Sequence, residues 1–237
     1  MQTRPKNAVR SLWPILTALF AAVVLIAGCS SSDKSSESLP DAATLLKESN
    51  ATTRALKSVH LDLAVGGNFG NFPIKTLSGD LTQTPAVAAA GTAKLTFQGS
   101  DVDAKFVVID AQLYVALSGD SFIDMGPAAD VYDISAILNP DKGLANVLAH
   151  FSNPKSESTE TINGVETVKV TGQVTADAVN SIAPSLEAKQ PAPGTAWIEK
   201  DGNHKLVQIK LEPSPGNTLQ MTLSNWDKPV TVTKPAV

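Results

Sequence analysis

Few side chains in this 237-residue chain could do covalent or acid–base chemistry. There is one cysteine, Cys29, and there are three histidines, His60, His150 and His204. A thiolate is a nucleophile and a metal ligand, but a lone cysteine forms no intramolecular disulfide. The histidines show neither His-x-His nor His-x-x-x-His spacing, so a metal site would need three distant segments to converge. Carboxylates pair at Asp101 and Asp103 and at Asp120 and Asp124. Alternate residues of a strand share a face, so Asp101 and Asp103 fit either acid–base work or a wetted sheet face, and the second is favoured. Ser31-Ser32-Asp33-Lys34 matches the Ser-x-x-Lys of some acyl-transfer enzymes, but it sits in a Ser-rich tether and carries no weight. Gly-x-Ser-x-Gly is missing, as are the glycine-rich phosphate and dinucleotide loops. The expectation is a chain that is not an enzyme and needs no cofactor.

Cys29 itself has a context. Arg4, Lys6 and Arg10 precede a continuous apolar run from Ile15 to Gly28. A basic start, a short apolar stretch and small residues before a cut describe a secretory leader. The run of about 14 residues is short of the ~20 that cross a bilayer as a helix. Leu25-Ile26-Ala27-Gly28-Cys29 resembles the lipobox of bacterial lipoproteins, in which the cysteine thiol takes a diacylglycerol and becomes the new amino terminus. An uncleaved signal anchor with an incidental cysteine is the competing reading. The reading divides the chain into a signal peptide (1–28), the lipidated Cys29 with a flexible tether (29–39), and one folded domain (40–237). Two or three acyl chains anchor a protein stably, where one gives marginal binding.

The leader holds three of the 19 Lys and Arg and none of the 23 Asp and Glu, so the remainder carries a net charge of −7. That argues against a nucleic-acid partner, which would want a basic face, and against docking by a polybasic patch on anionic lipid. About 200 residues make one domain that buries roughly 70% of its unfolded surface.

Asp41 is placed to cap a first helix whose face carries Ala42, Leu45, Ser49, Thr52 and Leu56. Period-two alternation follows at 59–65, 74–81, 93–97, 102–106 and 114–117, with turn chemistry between, and predicts an antiparallel meander. Residues 127–154 read as helical again. Ile134–Leu138 is a short piece, and Asn139-Pro140 starts a helix with a stripe of Leu144, Val147, Leu148 and Phe151. Asn163-Gly164 marks a hairpin over 161–174. Thr175 caps a short helix through Val179 and Ile182, ended by Pro184. A loop at 190–194 leads to strands at 195–199, 205–211 and 218–226, and 230–232 is expected as a last edge strand. The strand faces are rich in Ala, Val, Leu and Thr. Such faces either line an apolar hollow or let helices approach closely over a solid core, and pattern alone leaves both open. Trp197 and Trp226 could stack on sugar or serve the core.

Several stretches carry a resemblance. They are Ala55–Ser58, Lys75–Leu81, Asp124–Asp130, Leu138–Ala149, Gln220–Ser224 and Val232–Pro235. Together they resemble the LppX/LprA/LprF/LprG family of mycobacterial lipoproteins over nearly the whole chain, lipobox included. The leader, the tether and Pro85–Thr92 depart from it. The resemblance implies an α+β fold, a curved antiparallel half-barrel with helices on its concave face around an apolar cavity. It implies cargo of triacylglycerol, phosphatidylinositol mannosides and lipoarabinomannan-type lipoglycans. It also implies a major-facilitator-type inner-membrane transporter as partner and a place on the outer face of the cell membrane. Ala93 corresponds to a cavity-wall position, and Leu95 and Phe97 share its parity. Phe106, Val108 and Val115 are expected on the same wall, with Val147, Phe151, Met221 and Leu223 completing it. The rival function is an adhesin or signalling lipoprotein with a solid core.

Overall fold

Capping chemistry sets the two longest helices where local sequence places them. The computed structural model describes residues 38–237 apart from 70–72, 98 and 118 and the side chain of Phe97. Cys29, the leader, most of the tether and the Ser31–Lys34 pair lie outside the described residues. Helix α1 spans Ala42–Arg54, and the Asp41 carboxylate accepts the Thr44 N–H at its start. Its buried face is Ala42, Leu45, Leu46, Ser49 and Thr53, so Thr53 rather than Thr52 turns inward. Helix α4, Ala176–Ile182, starts on the Thr175 hydroxyl.

Eleven strands form one antiparallel sheet. Strands β1 to β6 are Ser58–Gly66, Ile74–Thr82, Ala88–Phe97, Ser100–Ile109, Gln112–Ala116 and Ile123–Pro127. Strands β7 to β11 are Phe151–Ile162, Val165–Val174, Ala192–Glu199, Leu206–Ser214 and Asn217–Ser224. The order is β6-β5-β4-β3-β2-β1-β11-β10-β9-β8-β7. Two meanders therefore meet where β1 pairs β11, Leu61 opposite Leu223 and Leu63 opposite Met221. Among the described residues β6 and β7 do not pair, so the sheet is open at both edges. The short helices α2 (Ser135–Leu138) and α3 (Leu144–Ala149) join the meanders. Side chains of all four helices share one apolar core with Val59, Leu61, Leu81, Phe106, Val168, Val170, Ile198 and Ile209 from one sheet face. Residues Ser38–Val237 form one compact unit.

Four expectations need correction. Asn139 does cap, but its side chain accepts the N–H groups of Asp141 and Lys142 in a turn. Helix α3 begins only at Leu144, because Gly143 passes so close to residues 136 and 137 that a Cβ there would lie 2.1 Å from the Ile137 carbonyl oxygen. Phe151 opens the long edge strand β7 instead of closing a helical stripe. Its neighbours Ser, Asn, Lys, Glu and Thr gave no apolar period, and Pro154 is tolerated at an edge where the register shifts between Ser152 and Lys155. Strand β9 begins at Ala192, where Pro193 pairs with Gln173. Residues 230–232 form no strand, since the place beside β1 is filled by β11. The tail is held instead by isolated hydrogen bonds, among them the Asp227 N–H to the Ser58 carbonyl oxygen at 3.0 Å. Lys57 N–H donates to Asp227, and the Ser58 hydroxyl donates to the Lys228 carbonyl. Further on, the tail passes Asp80 and Ala90, and the Lys234 ammonium lies 5.5 Å from the Tyr114 ring centre.

Candidate functional site

The inner sheet face is apolar by parity. Leu61 and Leu63 of β1, Leu77 and Leu81 of β2, Ala89 of β3 and Phe106 of β4 point to one side, joined by Leu219 and Met221 of β11. Two glycines stand opposite each other there, Gly79 and Gly91. A Cβ at either would lie 3.0 Å from the Phe106 ring, and at Gly91 only 2.1 Å from the Ser78 carbonyl oxygen. The missing side chains give the ring its place against the sheet. Tyr132, Ile134 and Ile137 from the connection after β6, with Ile182 and Ala183 at the end of α4, close over this surface. Between sheet and cover lies a cleft of about 70 Å³.

The phenol of Tyr132 is the single polar side-chain group on that lining, and it is spent. It donates to the Ile182 carbonyl oxygen at 2.7 Å. Burial pushes its pKa far above the usual tyrosine range, with the nearby Asp133 carboxylate adding to the shift. The cleft therefore offers no acid, base or nucleophile. It can exclude water and accept hydrocarbon. At about 70 Å³ it is closed as it stands, well below the ~300–1,000 Å³ of pockets that bury a ligand.

Of the residues expected on the wall, Phe106 and Met221 line the cleft. Val108 stands opposite Ala89, Leu223 opposite Leu61 and Val115 opposite Phe106, each beside a lining residue. Ala93 faces the core between Leu77 and Ala104, and Leu95 lies between Ile74 and Val102. Val147 is buried on α3. Phe151 is placed elsewhere, with its ring against Gly172 and Gly194 at the β7 end of the sheet. The Phe97 side chain is outside the described residues. The helical piece at Ile134–Leu138 was expected, but the closure of Tyr132 on Ile182 was not. Its one signal was the run Val131-Tyr132-Asp133-Ile134, too rich in β-branched and aromatic residues for a solvated connection.

The outer face holds a larger depression of about 750 Å³, floored by Ala64, Thr76, Ser78, Thr92 and Ala116 and edged with charge. The carboxylate pairs resolve here as lysine partners. Lys75 meets Asp101 at 2.7 Å, Lys94 meets Asp103 at 2.6 Å, and Lys105 meets Asp120. The lysine ammonium holds the Asp101 and Asp120 carboxyls below their usual range. His60 lies between Asp80 at 2.7 Å and the Ser78 hydroxyl at 3.2 Å. That order resembles a nucleophile relay. Yet β2 is paired on both sides, with β1 and β3, so the ladder consumes the amide N–H groups an oxyanion would need. Among the described residues no group of His, Cys, Asp and Glu could hold a metal. Trp197 is a packing and hydrogen-bonding residue. Its indole N–H donates to Glu160 at 2.8 Å, and Lys169 lies over its ring. Trp226 donates to the Leu206 carbonyl oxygen.

Comparison with known proteins agrees with this architecture. The chain is 56% identical over 239 residues to the lipoarabinomannan carrier protein LprG of Mycolicibacterium smegmatis, with all of both chains covered. It is 51% identical over 224 residues to the protein of that name from Mycobacterium tuberculosis, with 94% of each chain covered. The crystal structure of LprF from Mycobacterium bovis superposes with a TM-score of 0.77 at 30% identity, covering 84% of this chain and 98% of that one. The structure of the Mycobacterium tuberculosis lipoprotein LppX gives 0.63 at 26% identity, covering 81% and 97%. The model of the LppX_LprAFG lipoprotein family matches residues 41–232, and the chain belongs to that family.

Proposed function

We propose that this protein is a non-enzymatic carrier for multi-acylated lipids. Its acyl-chain site is the cleft between β1–β4, β11 and the cover formed by Tyr132–Ile137 and the end of α4. The observation that carries the reading is the composition of that lining, in which hydrocarbon meets hydrocarbon and the one phenol is already bonded. Each buried CH₂ contributes about 0.8 kcal/mol, so two or three fatty tails supply affinity without a polar pocket. For tails to enter, the cover must lift and the cleft must widen several-fold. Lipoarabinomannan-type lipoglycans are the first cargo to test, because relatives at 56% and 51% identity are named as carriers of lipoarabinomannan. Phosphatidylinositol mannosides and triacylglycerol present the same kind of tails. Residues 1–28 act as the signal peptide, Cys29 takes the lipid anchor, and residues 29–39 let the folded part reach from the outer face of the cell membrane. A major-facilitator-type transporter in the inner membrane is the proposed partner in transfer.

The test is mass spectrometry of organic extracts. Residues 38–237 are incubated with a mycobacterial lipid extract, repurified and extracted. Multi-acylated lipid recovered in stoichiometric amount is the expected result. A folded protein that returns a clean extract overturns the carrier and favours a surface role with a solid core.

A further inference from the structure

Six large apolar side chains stand exposed among the described residues. Four of them belong to one end of the sheet: Leu117, Ile123, Met125 and Val131, at 50, 53, 50 and 63% exposure. They connect to the cleft along a single row of the ladder. Phe106 lines the cleft and pairs with Val115, and Val115 pairs with Ile123 on the edge strand β6. Two inter-strand steps of roughly 4.8 Å separate the cleft wall from the exposed edge. On the cover side, exposed Val131 directly precedes Tyr132, which lines the cleft. Ile123, by ladder steps, and Val131, by sequence, thus each stand near a residue of the cleft lining.

We infer that Ile123, Met125 and Val131 form a rim that enters the surface of a lipid bilayer and brings the mouth of the cleft to the acyl layer. This rests on the carrier reading for its purpose, though not for its chemistry. These three half-exposed side chains, even with Leu117, fall far short of the ~800 Å² per partner of a stable protein interface. They suit shallow insertion into the headgroup–acyl boundary. A chain of a lipoprotein family is held where that boundary is within reach. Charge decides the kind of bilayer. Asp120, Asp124, Asp130 and Asp133 lie along the rim segment, all exposed; Lys105 offsets Asp120 and Lys234 lies near Asp124, so acid still exceeds base there. Insertion is therefore apolar, and anionic headgroups oppose it.

The experiment is vesicle flotation with residues 38–237 and protein-free vesicles, of phosphatidylcholine alone or mixed with phosphatidylglycerol. The protein floats with phosphatidylcholine. It floats less with the anionic mixture, and added salt restores part of that loss. The double variant Ile123→Asp/Val131→Asp loses about tenfold or more in partitioning, while Val87→Asp, at an exposed apolar position elsewhere, does not. Equal partitioning of the double variant overturns the proposal. So does a wild-type protein that ignores protein-free vesicles, which would assign the rim to a protein partner. Should the double variant melt early, Ile123→Trp is read with brominated phosphatidylcholine, where quenching supports insertion and its absence refutes it. Extracts analysed in parallel separate the two readings. A protein that floats but returns no lipid keeps the rim and loses the carrier.

Discussion

Tyr132 donates its phenolic hydrogen to the carbonyl oxygen of Ile182 at 2.7 Å, joining the connection after β6 to the last residue of α4 directly over the cleft. This is the one polar tie on an otherwise greasy lining. Replacing Tyr132 by Phe keeps the ring and leaves the Ile182 carbonyl without that donor. A loss of about 1 kcal/mol in urea unfolding is expected, together with faster exchange of bound lipid between protein and vesicles. Unchanged exchange in a protein destabilised by that amount would show that this bond does not restrain the cover.

Ala93 is small, faces the core and lies beside Leu77 of the cleft wall. A tryptophan there would reach across Leu77 toward the space that tails must occupy. Ala93→Trp should cost about 1–3 kcal/mol through overpacking, retain the β-rich circular dichroism spectrum, and recover little or no lipid in the extract assay. Normal loading by the folded variant would move the acyl site away from β3.

Ser49 sits at the centre of the buried face of α1, and its hydroxyl has no hydrogen-bond partner. A buried, unpaired hydroxyl costs about 1–3 kcal/mol, and alanine is the better helix former. Ser49→Ala should therefore raise the urea midpoint, with an unchanged slope. A lowered midpoint would reveal a hydroxyl partner.

The Glu160 carboxylate accepts the Trp197 indole N–H at 2.8 Å and lies 3.3 Å from the Lys169 ammonium. The indole bond is the larger cause holding its pKa below the usual carboxylate range, with the lysine second. A depressed folded-state pKa adds stability above the unfolded value, and that stability disappears as pH falls through the folded value. The thermal midpoint of the wild type should therefore drop more steeply below about pH 4 than that of Glu160→Gln, with Trp197 fluorescence titrating in step. The effect is modest because the pair is near the surface. Parallel curves for the two proteins would contradict it.

Local chemistry made much of the fold legible. Asp41, Thr175 and Asn163-Gly164 each act within three residues of themselves, and each does what its type predicts. Phe106 and Met221 were expected on the wall from the family resemblance, and both line the cleft. Strand β7 was illegible because its alternation runs among polar residues on an edge, and Ala192–Gly194 because Pro and Gly mask a strand start. Of the cover, only the short helical piece near Ile134–Leu138 was legible, and not what it meets. Tyr132 and Ile182 are 50 residues apart, and nothing near either announces the other. The volume of the cleft depends on how closely that cover settles, which is a property of packing and not of pattern.

The pairing of β1 with β11 has a mechanical corollary. Both meanders are stitched to each other by strands, while Tyr132–Ile137 packs on them through apolar side chains and its phenolic bond runs to Ile182 of α4. The interior can therefore swell by sliding hydrocarbon over hydrocarbon, with every rung of the sheet intact. A guest that fills the widened space restores the lost contacts with its own methylenes, so an empty and a loaded molecule would share one rigid frame and differ in the height of its roof.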